Sequence, residues 1–262
     1  MSEELVEEEE GQMSLFEHLA ELRMRLIRSI IAVTIGAGVS WAWVEEVFKF
    51  LMEPLKKAAP AAVMANVHYK DMSEPFITLV KTALFTGVFV TIPFVLYQLW
   101  GFVAPGLYAH EKKIAGPFVV LATLFFYGGA SFCYFVVMPF GFQFLFAFSS
   151  SVATPTLMMS EYYSTVVTLM LAFAFVFEMP VLSMFLSALG VLTHRPMVQY
   201  WRYSVVAIFV IAAILTPPDV LSQMSMALPM LILYALSTAV AYMFTLRHER
   251  QVLEAEDANT RK

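Results

Sequence analysis

Four groups of residues in this 262-residue chain have types and spacings that could do chemistry. The first is Ser14-Leu15-Phe16-Glu17-His18-Leu19-Ala20-Glu21-Leu22-Arg23-Met24-Arg25-Leu26. Ser14 and Glu17 have capping-box spacing, so a helix is predicted to start there. Leu15, Leu19, Leu22 and Leu26 recur at helical spacing and form an apolar stripe that can lie at a membrane surface. Glu21 falls off that stripe, on the watery side. Glu21 and Arg25 are four apart, and the plainer reading is an ordinary helix-surface pair worth roughly a few tenths of a kcal/mol. The second group is the aromatic-rich stretch from Tyr97-Gln98-Leu99-Trp100-Gly101-Phe102 through Pro105-Gly106-Leu107-Tyr108 to Glu111-Lys112-Lys113. Pro105-Gly106 signals a turn. Interfacial anchoring accounts for the aromatics, but not for an acid set beside two lysines.

The third is Glu178, within Phe175-Val176-Phe177-Glu178-Met179-Pro180. A carboxylate inside an apolar run is expensive and marks either a functional site or a paired group. Pro180 frees the carbonyl of Val176 one turn back, so a protonated Glu178 donating a local bond is the structural alternative. The fourth is Leu215-Thr216-Pro217-Pro218-Asp219-Val220-Leu221-Ser222-Gln223. It reads first as a rigid turn with Asp219 placed to cap the next helix, and Gln223 is an intramembrane polar side chain beside it.

The elements that must position these groups follow from composition. The chain is 60% hydrophobic and 14% charged, with a mean hydropathy of +0.72, against about 25% charged residues in a typical soluble domain. So much apolar surface needs lipid as its solvent. The fold class predicted is an all-α integral membrane protein. A net charge of −5 with no basic cluster excludes nucleic acid. Cys133 is the single cysteine, so no intrachain disulfide and no cysteine metal site is expected. No phosphate-binding glycine loop and no H-E-x-x-H pair occurs, and neither cofactor nor metal is expected. Glu3, Glu4, Glu7, Glu8, Glu9 and Glu10 make residues 1–13 an acidic, disordered tail, unlike a basic targeting segment.

Apolar runs place six spans at about 26–44, 76–97, 117–138, 163–189, 203–217 and 222–244, with a membrane domain over 14–246 and a tail over 247–262. The fifth run is short for a hydrocarbon core about 30 Å thick. Residues 45–74 read as one long loop. Arg23, Arg25 and Arg28, Lys112 and Lys113, Arg195 and Arg202, and Arg247, Arg250, Arg261 and Lys262 share one side, so both termini are predicted to be cytoplasmic. Pro93, Pro180 and Pro229 should kink their helices. Ala32, Gly36 and Ser40 form a small-residue stripe that admits another helix at close range.

Together these segments resemble the TatC family, the polytopic receptor subunit of the twin-arginine protein translocase. The resemblance rests on His18-Leu-x-Glu21-Leu22-Arg23-x-Arg25, Pro54-Leu55 and Pro75-Phe76, Tyr97-Gln98-x-Trp100-x-Phe102-x-x-Pro105-x-Leu107-Tyr108-x-x-Glu111, Phe177-Glu178-x-Pro180 and Leu215-Thr216-Pro217-Pro218-Asp219, in that order. It implies a cupped six-helix shape with short fifth and sixth helices. It implies a receptor that binds the twin-arginine signal of folded cargo and works in a multimeric complex with TatA-like and TatB-like single-span subunits, powered by the proton-motive force. Carried over by position, Glu21 and Glu111 become the acidic recognition residues, with Arg23, Gln98, Phe102, Pro105, Leu107 and Tyr108 shaping the surface. Glu178, with Gln223, becomes the intramembrane docking site. The location implied is a bacterial inner membrane. The competing reading is a proton-coupled small-solute transporter using Glu178. An intramembrane enzyme is a third, disfavoured because His18, His68, His110, His194 and His248 all fall in loops or tails.

Overall fold

The computed structural model describes residues 15–59, 67–103, 115–149, 157–188, 192–215 and 220–260. The acidic tail, the stretch holding Pro105, Leu107, Tyr108, His110 and Glu111, and the turn holding Asp219 lie outside the described residues. The chain forms two compact units, one within Met1–Val44 and Leu79–Val120 and the other within Glu45–Thr78 and Leu121–Lys262.

Among the described residues, five helical stretches are long and apolar enough to cross a membrane: Phe16–Ala58, Glu74–Phe102, Gly116–Ala147, Met159–Ala188 and Met226–Leu246. Trp201–Leu215 is apolar but shorter, with 15 residues. At 1.5 Å per residue it reaches only about 22 Å, which is why the run looked short in sequence.

In the first unit, helix α1 (Leu15–Ser40) passes without a break from the charged segment into the apolar run. Its 26 residues extend about 39 Å, more than the roughly 30 Å hydrocarbon core. The turns carrying Glu21 and Arg25 can therefore stand clear of the lipid. The small-residue stripe does what its spacing predicts: Gly36 and Ser40 are buried, and α1 crosses α4 (Glu74–Val103) where glycines meet. A Cβ on Gly87 would lie 2.5 Å from the Ala37 amide nitrogen and 2.9 Å from the Val33 carbonyl oxygen. Close backbone approach of this kind is how helices associate where lipid removes the hydrophobic drive between them.

In the second unit, residues 45–51 and 53–58 are helical, correcting the long loop expected there. Helices α2 (Val44–Leu51) and α3 (Glu53–Ala58) follow a three-residue turn at Trp41–Trp43. Val44, Leu51 and Leu55 are buried while Glu45, Glu46 and Lys49 face outward. That amphipathic pattern holds short helices against a core despite a charge content that reads as loop. The Leu51 carbonyl accepts the Tyr162 hydroxyl at 2.8 Å and the Phe50 carbonyl accepts the Tyr134 hydroxyl at 2.7 Å. Helix α5 (Ala115–Phe132) runs through a π-helical turn at Cys133–Val137 into α6 (Met138–Ser149). Pro139 supplies the cause, since it has no N–H to close the bond to the carbonyl four residues back.

Strands β1 (Val67–His68) and β2 (Leu157–Met158) pair in parallel, Val67 opposite Leu157 and His68 opposite Met158. Glu74 locks the two connections together. Its Oε2 accepts the Lys70 N–H at 2.7 Å, and its Oε1 accepts the Ser160 N–H at 2.9 Å. Ser160 lies in the first turn of α7 (Met159–Ala188), where a helix presents unpaired N–H groups and favours negative charge. Lys70 Nζ adds a 3.2 Å contact to Glu161. Glu74→Ala should speed amide exchange over residues 67–73 and 157–162 in hydrogen-exchange mass spectrometry, with the exchange of α1 unaltered. Unchanged exchange at both connections would contradict this tie.

Helix α7 packs along α10 (Val220–Thr260), and α8 (His194–Gln199) and α9 (Trp201–Leu215) complete the unit. The 41 residues of α10 correct the expectation of a short sixth helix. Its apolar part ends near Leu246, but Glu, Arg, Leu and Ala beyond that point are strong helix formers and carry the helix on to Thr260.

Candidate functional site

The first unit gathers one cluster of chemistry-bearing side chains. On α1, His18, Glu21 and Arg25 are spaced three and four apart and so share a face. On α4, Gln98, Gly101 and Phe102 do the same, and the two faces meet. Arg25 Nε donates to Glu21 Oε1 at 2.9 Å, and Nη2 donates to the same oxygen at 2.5 Å. Arg25 Nη1 reaches Gln98 Oε1 at 3.4 Å. Gly101 makes room for this fork, because a Cβ there would collide with the guanidinium. His18 and Phe102 stack at 4.2 Å with their rings 20° apart.

The Glu21–Arg25 pair is thus more than an exposed helix-surface contact. The side chains of Arg25 and Glu21 keep only 21% and 20% of their exposure, and Gln98 is buried. Glu21 Oε2 is enclosed and has no hydrogen-bond partner among the described residues. The arrangement is a guanidinium seat built from a carboxylate, an amide oxygen and a side-chain-free backbone position, flanked by an aromatic stack. Such planar, multi-donor recognition is what guanidinium allows and ammonium does not.

Of the residues singled out in sequence, Glu21, Gln98 and Phe102 come together. Arg23 is exposed and has no ion pair among the described residues. Two positions from Glu21 it points about 200° around the helix. Pro105, Leu107, Tyr108 and Glu111 lie outside the described residues. Sequence reasoning passed over Arg25, His18 and Gly101 as site residues, although the shared helical period with Glu21 and Gln98 was there to find them.

In the second unit, Glu178 is buried on α7, and its Oε1 has no hydrogen-bond partner among the described residues. Gln223 Nε2 donates to the Phe209 carbonyl at 3.0 Å, tying the start of α10 to α9. A cavity of about 210 Å³ opens nearby among Val176, Met179, Ile208, Met230, Leu233 and Tyr234. Its walls are apolar and its volume suits an aliphatic or aromatic side chain. Tyr234 closes one edge by donating to the Met197 carbonyl at 2.7 Å.

The histidines depart from their expected places: His18, His194 and His248 lie on helices and His68 in a strand. They were assigned by hydropathy, which cannot tell a polar helix end from a loop. Among the described residues no cluster of His, Cys, Asp and Glu could hold a metal ion.

Comparison with known proteins gives this arrangement a family. The family model described as "Sec-independent protein translocase protein (TatC)" matches residues 17–229. A Sec-independent protein translocase protein TatC of Halothiobacillus neapolitanus is 42% identical over 239 residues, covering 91% of this chain and 65% of that relative. Its counterpart from Koribacter versatilis is 40% identical over 248 residues, covering 94% of this chain and 91% of the relative. A solved structure, the crystal structure of twin arginine translocase receptor TatC, aligns with a TM-score of 0.79 at 39% identity, covering 87% of this chain and all of that one. The chain belongs to the TatC family of Sec-independent protein translocase proteins, and it is a multi-pass membrane protein.

Proposed function

We propose that this protein is the signal-reading receptor of a twin-arginine translocase and not an enzyme. The observation that carries the proposal is the guanidinium seat: Glu21, Gln98 and Gly101 hold an arginine side chain in a geometry that an arginine of a signal peptide could also take. The solved relative, a twin arginine translocase receptor, points the same way. Glu111 is the second acid of the reading, so that two carboxylates ask for two arginines. Arg23, Pro105, Leu107 and Tyr108 complete the recognition surface on the cytoplasmic side.

The protein crosses a bacterial inner membrane six times, with Trp201–Leu215 as the short fifth span and both termini inside. The lysine and arginine placement supports this orientation. It works in a multimeric complex with TatA-like and TatB-like single-span subunits, and the proton-motive force drives transport. Glu178 and Gln223 serve partner docking. A buried carboxyl oxygen without a bond is costly in an apolar setting, and a polar group from a partner helix would satisfy it.

A photo-crosslinker at position 102 tests the receptor reading in membranes. A twin-arginine signal peptide should give an adduct that a lysine-lysine version does not, and equal adducts would contradict it. Glu178→Ala should reduce crosslinks to the single-span subunits and cut transport several-fold. Intact crosslinks with full transport would remove Glu178 from the docking site.

A further inference from the structure

Within the recognition site the seat for an arginine is already filled, and by this chain's own residue. Arg25 directs two donors onto Glu21 Oε1 and a third toward Gln98. The fork lies where Gly101 leaves space. Glu21 offers one further oxygen, but it is enclosed. An incoming guanidinium therefore cannot engage Glu21 squarely while Arg25 keeps this position.

We propose that Arg25 is a resident competitor for the Glu21 carboxylate, displaced when the signal's arginine binds, and that this displacement sets the threshold a signal must pass to be held. The proposal rests on the receptor reading above. Arg25 sits one helical turn from Glu21 and so competes at high effective concentration. A signal arginine replaces it like for like: one charge-assisted fork is lost and an equivalent one is made. A signal lysine brings a point charge without the planar fork, so it gives up the resident contact for a poorer one. Specificity is a difference of affinities; the resident guanidinium lowers both affinities alike, so the poorer lysine contact falls below occupancy at concentrations where an arginine signal still binds. Released Arg25 needs no distant partner, since its side chain already keeps 21% of its exposure and can swing toward solvent.

The test is the affinity of full-length protein in nanodiscs for fluorescent Arg-Arg and Lys-Lys signal peptides. Arg25→Met, which keeps the length and apolar stem but removes the donors, should bind the Arg-Arg peptide about three- to tenfold more tightly. Its affinity for the Lys-Lys peptide should rise by a similar factor, because the contact that must be displaced is the same for either ligand. Arg25→Lys gives a second route, because it keeps the charge while removing the planar fork that fills the seat. It should shift binding in the same direction, by less, even if Arg25→Met fails to fold. Weaker binding in these variants, or binding like the wild type, would overturn the proposal and make Arg25 a strut that orients Glu21. Glu21→Gln combined with Arg25→Met, where no resident guanidinium shares the loss, separates the two ideas. If adding Glu21→Gln to Arg25→Met leaves affinity unchanged, the receptor site itself is misplaced. If it weakens binding while Arg25→Met does not strengthen it, only the competitor is wrong.

Discussion

With Arg25→Met in place, so that no resident guanidinium loses the same contact, Glu21→Gln should weaken binding of a twin-arginine signal peptide by roughly 10- to 100-fold, the loss expected when a hydrogen bond between two charged groups becomes one to a neutral amide. The substitution is nearly isosteric, so the stack of His18 on Phe102 and the crossing of α1 over α4 should survive it. An affinity equal to that of Arg25→Met alone would mean that the peptide's charge is read elsewhere. Peptide titration in nanodiscs measures the effect, and an unchanged melting midpoint would assign it to recognition and not to unfolding.

The largest expected effect on stability is at Gly87. A Cβ there meets backbone atoms, the Ala37 nitrogen at 2.5 Å and the Ala37 Cα at 2.8 Å, and no rotamer change can relieve that clash. Overpacking of this kind costs about 1–3 kcal/mol or more, and here it wedges apart the two helices that bring Glu21 to Gln98. Gly87→Ala should lower the thermal midpoint in detergent by several degrees and weaken signal-peptide binding with it. Gly38→Ala is the matched control, since no atom lies within 4 Å of its Cβ position. Equal midpoints for the two variants would contradict the close crossing.

These two sites show how far sequence alone reaches. The periods that bury Gly36 and Ser40, and the apolar runs behind the five long helices, are local patterns, so composition and spacing reveal them directly. Glu21, Gln98 and Phe102 were legible as a group through the family resemblance. That Arg25 holds Glu21 against Gln98 was not, because an i,i+4 pair looks the same in sequence whether it faces water or a second helix 73 positions on. Helices α2 and α3 hid behind their charges, since hydropathy averages away a one-sided apolar face. The length of α10 was missed for the converse reason: a helix continues wherever propensity allows and does not stop where the lipid does. Pro139, just after the π-helical turn, was not among the prolines singled out in sequence, and a missing N–H alone does not say whether a helix kinks, ends or widens.

The central claim is that Glu21 reads an arginine of the signal, and a double-mutant cycle between protein and peptide tests it most directly. Affinities would be measured for Arg25→Met with and without Glu21→Gln, so that the resident guanidinium does not mask the pair, each against peptides carrying arginine or glutamine at each of the two signal positions in turn. The account predicts a coupling of about 1.5–3 kcal/mol between Glu21 and one of the two arginines. Additive effects, with no coupling at either position, would contradict it.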